Sequence, residues 1–390
     1  MPSPLSSIRI IDMSRVLAGP WAGQLLGDYG ADVIKIERPE LGDDTRHWGP
    51  PWLDGQESGE SAYFLAANRN KRSVTVNLGN TAGQQLVREL VMDADILIEN
   101  YRVGTMARFG LSAVELMALN PRLIYCSITA FGQDSSRADE PGYDAVAQGA
   151  GGLMSLTGPA DEESGGPQKV GVAIADIMAG MYAVTAILAA LHARQESGLG
   201  QHIDVPLYDS QVAWLANQNM NFLVGGKSPG RLGTAHPNLV PYQAFETADG
   251  SLMLAVGNDR QFAACVNCLG LPELAEDARF RRNSDRVAHR CDLVNRMQKA
   301  LLRQSTGHWL SAFADSGVPA GPINTIAEVF SEPYAREREL VRHLVNSAGQ
   351  DVPTVANPVD FSATKVSYRK APPLLGEHTE EVLREWLGYS

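Results

Sequence analysis

The first third of the chain alternates short, β-branched apolar runs with longer stretches of helical period. "SIRIIDMS" (7–14), "ADVIKIE" (31–37), "RSVTVNL" (72–78), "ADILIEN" (94–100) and "RLIYCSITAFG" (122–132) predict strands, and residues 18–28, 80–93 and 104–119 predict helices. Nearly unbroken apolar strands separated by helices imply a parallel sheet covered on both faces, with ligands expected beyond the carboxyl ends of the strands. An uncharged run follows at 177–193, "IMAGMYAVTAILAALHA". It contains Gly, Thr and His and falls short of the ~20 residues of a comfortable bilayer span, which predicts a buried core helix. Beyond it, "QESGLGQHIDVPLYDSQVAWLANQ" predicts a turn, a short strand and another apolar helix. "YQAFETADGSLMLAVGN" predicts a hairpin turning at Ala-Asp-Gly, residues 258–316 read as helical, and a last helix lies in "EHTEEVLREWLG".

This order gives an α/β chain with a large Rossmann-like, parallel-sheet domain and a smaller α/β domain. The N-terminal part of the large domain is expected over 1–205, a linker helix over 206–224, the small domain over 225–320, and a return to the large domain over 325–390. Composition changes the picture little: 44% hydrophobic and 20% charged residues describe a globular protein with ample core. The net charge of −12 argues against nucleic acid or an anionic membrane as the main partner, so an anionic ligand needs a local cluster of Arg and Lys. The N-terminus lacks a basic region followed by an apolar core, so no secretory signal is expected. Cys126, Cys265, Cys268 and Cys291 form no disulfide framework and suggest a cytoplasmic setting. "CVNC" at 265–268 reads as one face of an amphipathic helix, and no metal is expected there.

Two nucleotide motifs are missing. The turn after the first strand, "DMSRVLAGPWAG", has no GxGxxG, and "GAGG" (149–152) and "GGKSPGRLG" (225–233) lack the Lys-Ser/Thr ending of a P-loop. The candidate chemistry lies instead in "KVGVAIADIMAGMYA" (169–183), where Asp176 stands alone among small and apolar residues. One reading makes Asp176 the N-cap of a helix starting at Ile177. The other keeps its carboxylate ionised at the helix N-terminus, with Ala173, Ala175 and Gly180 leaving room for a substrate, so that it can attack an acyl carbon.

Several segments together carry a resemblance. "GYDAVAQGAGGLMSLTG" (142–158), "VGVAIADIMAGMYAVTAILAALHAR" (170–194), "DMSRVLAGPWAGQLLGDYGADVIKIERPELGDDTR" (12–46), "NRNKRSVTVNL" (68–78), "IENYRVGTMARFGL" (98–111) and "APPLLGEHTEEVL" (371–383) resemble the family III CoA-transferases of CaiB/BaiF type. The resemblance implies that Asp176 is the nucleophile, passing through an acyl-aspartyl anhydride and an aspartyl-CoA thioester. It also implies CoA contacts at Arg38, Asn100, Tyr101 and Arg108, with Lys71 and Arg72 as further cations, and an interlocked homodimer. Coenzyme A and acyl-CoA enter as substrates, and no permanently bound cofactor is expected.

Among relatives, the chain is most similar to succinyl-CoA-dependent dicarboxylate transferases, through "RVLAGP", "NRNKRS", "YCSIT", "GYDAVA" and "GTAHPNLVPYQAF". A short diacid such as glutarate or itaconate is then the expected acceptor. Formyl-CoA transferases have Gln where this chain has Leu17 and Cys where it has Arg69, so Arg15 and Arg69 are expected to grip a distal carboxylate. Family racemases acting on 2-methylacyl-CoA carry Gly-His-Asp where this chain has Gly142-Tyr143-Asp144. Tyr lacks a titration near neutrality, so Tyr143 is expected to line the site rather than move a proton. The segment 225–236, with Gly233 and His236, is expected to form a lid over Asp176. A racemase, a formyl-CoA-type transferase, a nicotinamide enzyme and a non-catalytic CoA-binding relative are the alternatives left open.

Overall fold

In the computed structural model, which describes residues 3–55 and 59–389, the alternation becomes a six-stranded, all-parallel sheet. Its strands are β1 (Arg9–Asp12), β2 (Asp32–Glu37), β3 (Lys71–Thr75), β4 (Ile96–Glu99), β5 (Ile124–Thr129) and β6 (His202–Pro206), in spatial order β3-β2-β1-β4-β5-β6. This is the Rossmann order, in which the chain direction of travel reverses between β1 and β4. The helices of this unit are α1 (Ala18–Asp28), α2 (Ala62–Leu65), α3 (Thr81–Met92), α4 (Thr105–Arg108), α5 (Ala113–Leu119), α6 (Asp144–Ala150), α7 (Ile174–Ser197), α8 (Leu207–Trp214) and α9 (Asn217–Gly225).

Strand residues alternate between two apolar layers. Ile10, Ile96, Ile98 and Cys126 pack against α1 and α7, while Ile11, Ile34, Leu97 and Tyr125 pack against α3, α5 and the C-terminal helix Thr379–Leu387. The long uncharged run is the core helix expected of it: Ala179, Ala183, Ile187 and Ala190 on α7 are buried against the sheet and α1.

Three element boundaries differ from expectation. The helix expected over 104–119 breaks into α4 and α5, because Gly110 turns with φ 65° and Ser112 opens α5 with a Ser112–Glu115 capping box. The linker helix breaks into α8 and α9 at Ala216, whose φ is 47°. Helix α7 starts at Ile174 rather than Ile177, so Asp176 is its third residue and Ala173 its N-cap. The missing cap is supplied from another element: Asp144 Oδ1 accepts the Ala175 N–H at 2.8 Å.

The chain forms two compact units, Met1–Leu153 with Lys169–Lys227 and Arg336–Ser390, and Met154–Gln168 with Ser228–Ala335. The second unit thus takes in 154–168 and runs on to 335. An Asp161–Arg231 ion pair of 2.6 Å ties the early segment to the later one. Its core sits between an antiparallel sheet and helices over 259–315. The sheet contains the expected hairpin, β7 (Tyr242–Glu246) with β8 (Ser251–Ala255), extended by β9 (Ala320–Pro322). Cys265 is fully buried in that core, and the Cys268 sulfur lies 2.8 Å from Ser316 Oγ.

Candidate active site

The loops leaving β1 and β4 meet where the strand order reverses, the place where open parallel sheets bind ligands. They are stitched together by one side chain. Asn100 Oδ1 accepts the Arg15 N–H at 2.8 Å, and Asn100 Nδ2 donates to the Arg15 carbonyl at 2.7 Å. Val16, the next residue, has φ 70°, a left-handed conformation that a β-branched side chain rarely adopts. Its amide reaches Asp43 Oδ1 at 3.3 Å, so the strained loop is pinned on both sides.

Beneath the loop lies a fully buried ionic layer. Lys71 Nζ donates to Asp12 Oδ2, to the Pro20 carbonyl and to Asn68 Oδ1, at 2.8, 2.8 and 3.0 Å. Lys35 Nζ reaches the Ser14 carbonyl at 2.9 Å and Asp43 Oδ2 at 2.8 Å. Burial alone would raise the Asp43 carboxyl, but Lys35 and the Thr45 donors hold it down at about 2. Burial pushes the Lys71 ammonium down to about 8 against the pull of Asp12. Each ion in this layer has a partner of opposite sign, as a dry interior requires.

Two cavities open over this floor. The first, of about 230 Å³, is lined by Asp176, Leu17, Ala18, Asn100, Arg102 and Tyr143, among others. The second, of about 300 Å³, lies beyond the ends of β2 and β3 and is lined by Arg38, Val76, Leu78, Gly79 and Phe109. Arg15 and Tyr101 belong to the walls of both, with the Arg15 guanidinium 5.2 Å from the centre of the Tyr101 ring. Arg15 also pairs with Asp44 at 2.9 Å, and Arg38 approaches the same carboxylate at 3.7 Å.

Asp176 is 8% exposed. Burial, and then the negative charge of Asp144, push its carboxyl up to about 7. Burial thus opposes the ionisation that its place in the first helical turn was expected to favour. The Ala175 N–H at this helix end goes to Asp144, which also accepts from Gln148 Nε2 at 2.7 Å. Gly180 corrects a second expectation. A side chain there would meet the Ala18 carbonyl at 2.6 Å, so its smallness serves helix-to-helix approach rather than substrate entry.

Other site residues divide by burial. Arg69 is 4% exposed and lines neither cavity. Its Nε and second terminal nitrogen grip Asp28 at 2.9 and 2.6 Å, and its remaining nitrogen donates to Thr354 Oγ1 and the Val355 carbonyl. The expected grip on a substrate carboxylate therefore fails for Arg69. Lys71 is sealed in the ionic layer, and Arg72 is spent on Asp32, Glu381 and Glu385. Neither lines these two cavities, because β3, an edge strand of the sheet, is covered by C-terminal segments and its cations are spent on acids of neighbouring elements. Arg108 is exposed on α4, donates to Thr105 Oγ1 at 3.1 Å, and lies outside both linings. Gly233 (φ 59°) and His236 belong to the second unit, where His236 Nδ1 accepts the Asn238 N–H at 3.0 Å and the ring tilts against Tyr242.

Tyr63 on α2 escaped sequence reasoning. Burial first, then the charges of Asp176 and Asp144, push its phenol up, so it stands in the field of both acids. It packs edge-on against Trp48 at 5.2 Å. The aromatic spacing around 48–64 was the available signal, but nothing local ties it to position 176.

Residues 5–379 match CoA-transferase family III. The chain is 50% identical over 384 residues to a succinate–glutarate CoA-transferase of Agrobacterium fabrum, covering 98% of this chain and 95% of that protein. A succinyl-CoA:glutarate CoA-transferase of Mus musculus is 44% identical, over 99% of this chain and 87% of that one. A crystal structure of a CAIB/BAIF family protein from Brucella suis superposes with a TM-score of 0.86 at 46% identity, covering 99% of this chain and all (100%) of that one.

Proposed function

Because this chain belongs to CoA-transferase family III, we propose that it carries CoA from succinyl-CoA to a short dicarboxylic acid, glutarate first among them. The relatives' names support the acids. The observation that carries the chemistry is Asp176, a nearly buried carboxyl facing a cavity.

Asp176, once ionised, attacks the thioester carbonyl of the donor, and CoA leaves as thiolate from an acyl-aspartyl anhydride. The thiolate attacks the aspartyl carbonyl, releases the donor as carboxylate, and leaves an aspartyl-CoA thioester. The acceptor carboxylate attacks that thioester, giving a new anhydride and the thiolate again. Attack of the thiolate on the acceptor's acyl carbon yields the new acyl-CoA and returns the Asp176 carboxylate. One thioester is exchanged for another, with no net proton.

Each tetrahedral intermediate carries an oxyanion near the first turn of α1. Leu17, the N-cap, offers no side-chain cap, and Leu17 and Ala18 line the cavity, so first-turn amides and the helix dipole favour that charge. The first cavity is small for a whole acyl-CoA and suits the reacting acid. The second, with Arg38 and Arg15 against the single carboxylate of Asp44, suits the phosphates of CoA. Apolar side chains left exposed on α7 (Met181, Tyr182, Leu188) and α9 (Phe222, Leu223, Val224) support a homodimer.

The test is chemical trapping. Incubation with succinyl-CoA and hydroxylamine should leave a hydroxamate on Asp176, read by peptide mass spectrometry. Turnover without any adduct at that residue refutes the mechanism.

A further inference from the structure

Two cations were expected at the distal carboxylate of a diacid: Arg69 is lost to the protein interior, and Arg15 is paired with Asp44 at 2.9 Å. We infer that Arg102 takes this role, an assignment that rests on the dicarboxylate reading above.

Charge balance over the lining of the Asp176 cavity singles out Arg102. Its ionic groups are Arg15, Asp44, Arg102, Glu140 and Asp176. Arg15 and Asp44 pair with each other at 2.9 Å, and Glu140 is held by Arg137 at 2.8 Å. That leaves Arg102 and Asp176. Among the described residues, Arg102 has no carboxylate partner, and its guanidinium makes a single hydrogen bond, to the Asp139 carbonyl at 3.0 Å. A guanidinium carries five donors and binds a carboxylate bidentately, so a substrate carboxylate displaces one neutral carbonyl readily.

The root of the side chain is fixed where its head is not. Tyr101 N donates to Glu99 Oε2 at 2.9 Å, and the Arg102 carbonyl accepts the Thr105 N–H at 3.0 Å as α4 begins. Arg102 thus hangs from a rigid strand end with an exposed, reorientable head. Its location favours the acid over the coenzyme. It lines the cavity of Asp176 together with apolar Val103, Ala130 and Leu207, which suit a methylene spacer, and it is absent from the second cavity where Arg38 lies.

The full-length enzyme and its Arg102→Gln and Arg102→Lys variants are to be assayed at saturating succinyl-CoA with glutarate and with valerate, its analogue lacking one carboxylate. In wild type, kcat/KM favours glutarate. In Arg102→Gln that preference falls by about tenfold or more, through KM rather than kcat, and Arg102→Lys restores part of it. Affinity for free CoA, measured by calorimetry, stays as in wild type. An equal loss for both acids, an unchanged preference, or a weakened affinity for free CoA overturns the assignment. A wild-type enzyme with no preference for glutarate overturns the dicarboxylate reading itself, and Arg102's role with it.

Discussion

At the scale of the residue, the reactivity proposed for Asp176 turns on what it lacks. Burial and the Asp144 charge lift its carboxyl to about 7, well above the ~3.9 of an exposed aspartate. The folded protein therefore binds this proton more tightly than the unfolded chain does. The resulting stability is complete below the unfolded value and is lost as pH rises through about 7, the range where the carboxylate proposed as nucleophile becomes available. Activity and stability run in opposite directions here. We predict that kcat/KM for succinyl-CoA climbs with pH and levels off above about 7, with Asp144→Asn moving the inflection to lower pH. An inflection that stays in place in this variant removes Asp144 from the account. The lone acid at 176 was legible in the sequence because no other charge stands near it. Its ionisation was not, since burial and then Asp144, 32 positions earlier, act on it only after folding.

At the scale of the element, strands and helices were readable where period and punctuation agreed. Helix α1 spans the expected residues, and the hairpin β7–β8 turns where Ala-Asp-Gly stands. The cations before and within β3 misled for a physical reason. "NRNKRS" reads as an exposed strand edge, and β3 is an edge strand, but C-terminal segments cover it, and Arg69, Lys71 and Arg72 find acids from distant parts of the chain. Charge reveals a side chain's chemistry but not which face of a sheet it will occupy. Arg69 joins Asp28 to Thr354, in the strand Asp351–Val355 that pairs antiparallel with Val341–Val345. We predict that Arg69→Ala costs about 3–5 kcal/mol in urea unfolding, because Asp28 is left buried without its cation. The ratio of glutarate to valerate activity should stay unchanged in the enzyme that still folds. A changed ratio with intact stability would return Arg69 to the substrate.

At the scale of the whole molecule, the order of strands places the site. Two loops come together only because β1 and β4 are neighbours, and Asn100 fastens one to the other. An all-parallel alternation made the sheet predictable, whereas the boundary of the second unit at 154–168 rests on an ion pair across 70 residues. The apolar side chains exposed on α7 and α9 lead to a prediction about assembly. Gel filtration at micromolar concentration should give about twice the 42.1 kDa chain mass. Elution at the mass of one chain would leave those surfaces unexplained. Gly180 has a consequence of its own. It lets main chain rest on main chain between α7 and α1, one turn from Asp176 and at the very start of α1. The spacing between the start of α7 and the first turn of α1 is thus gauged by peptide groups, the stiffest parts of a polypeptide.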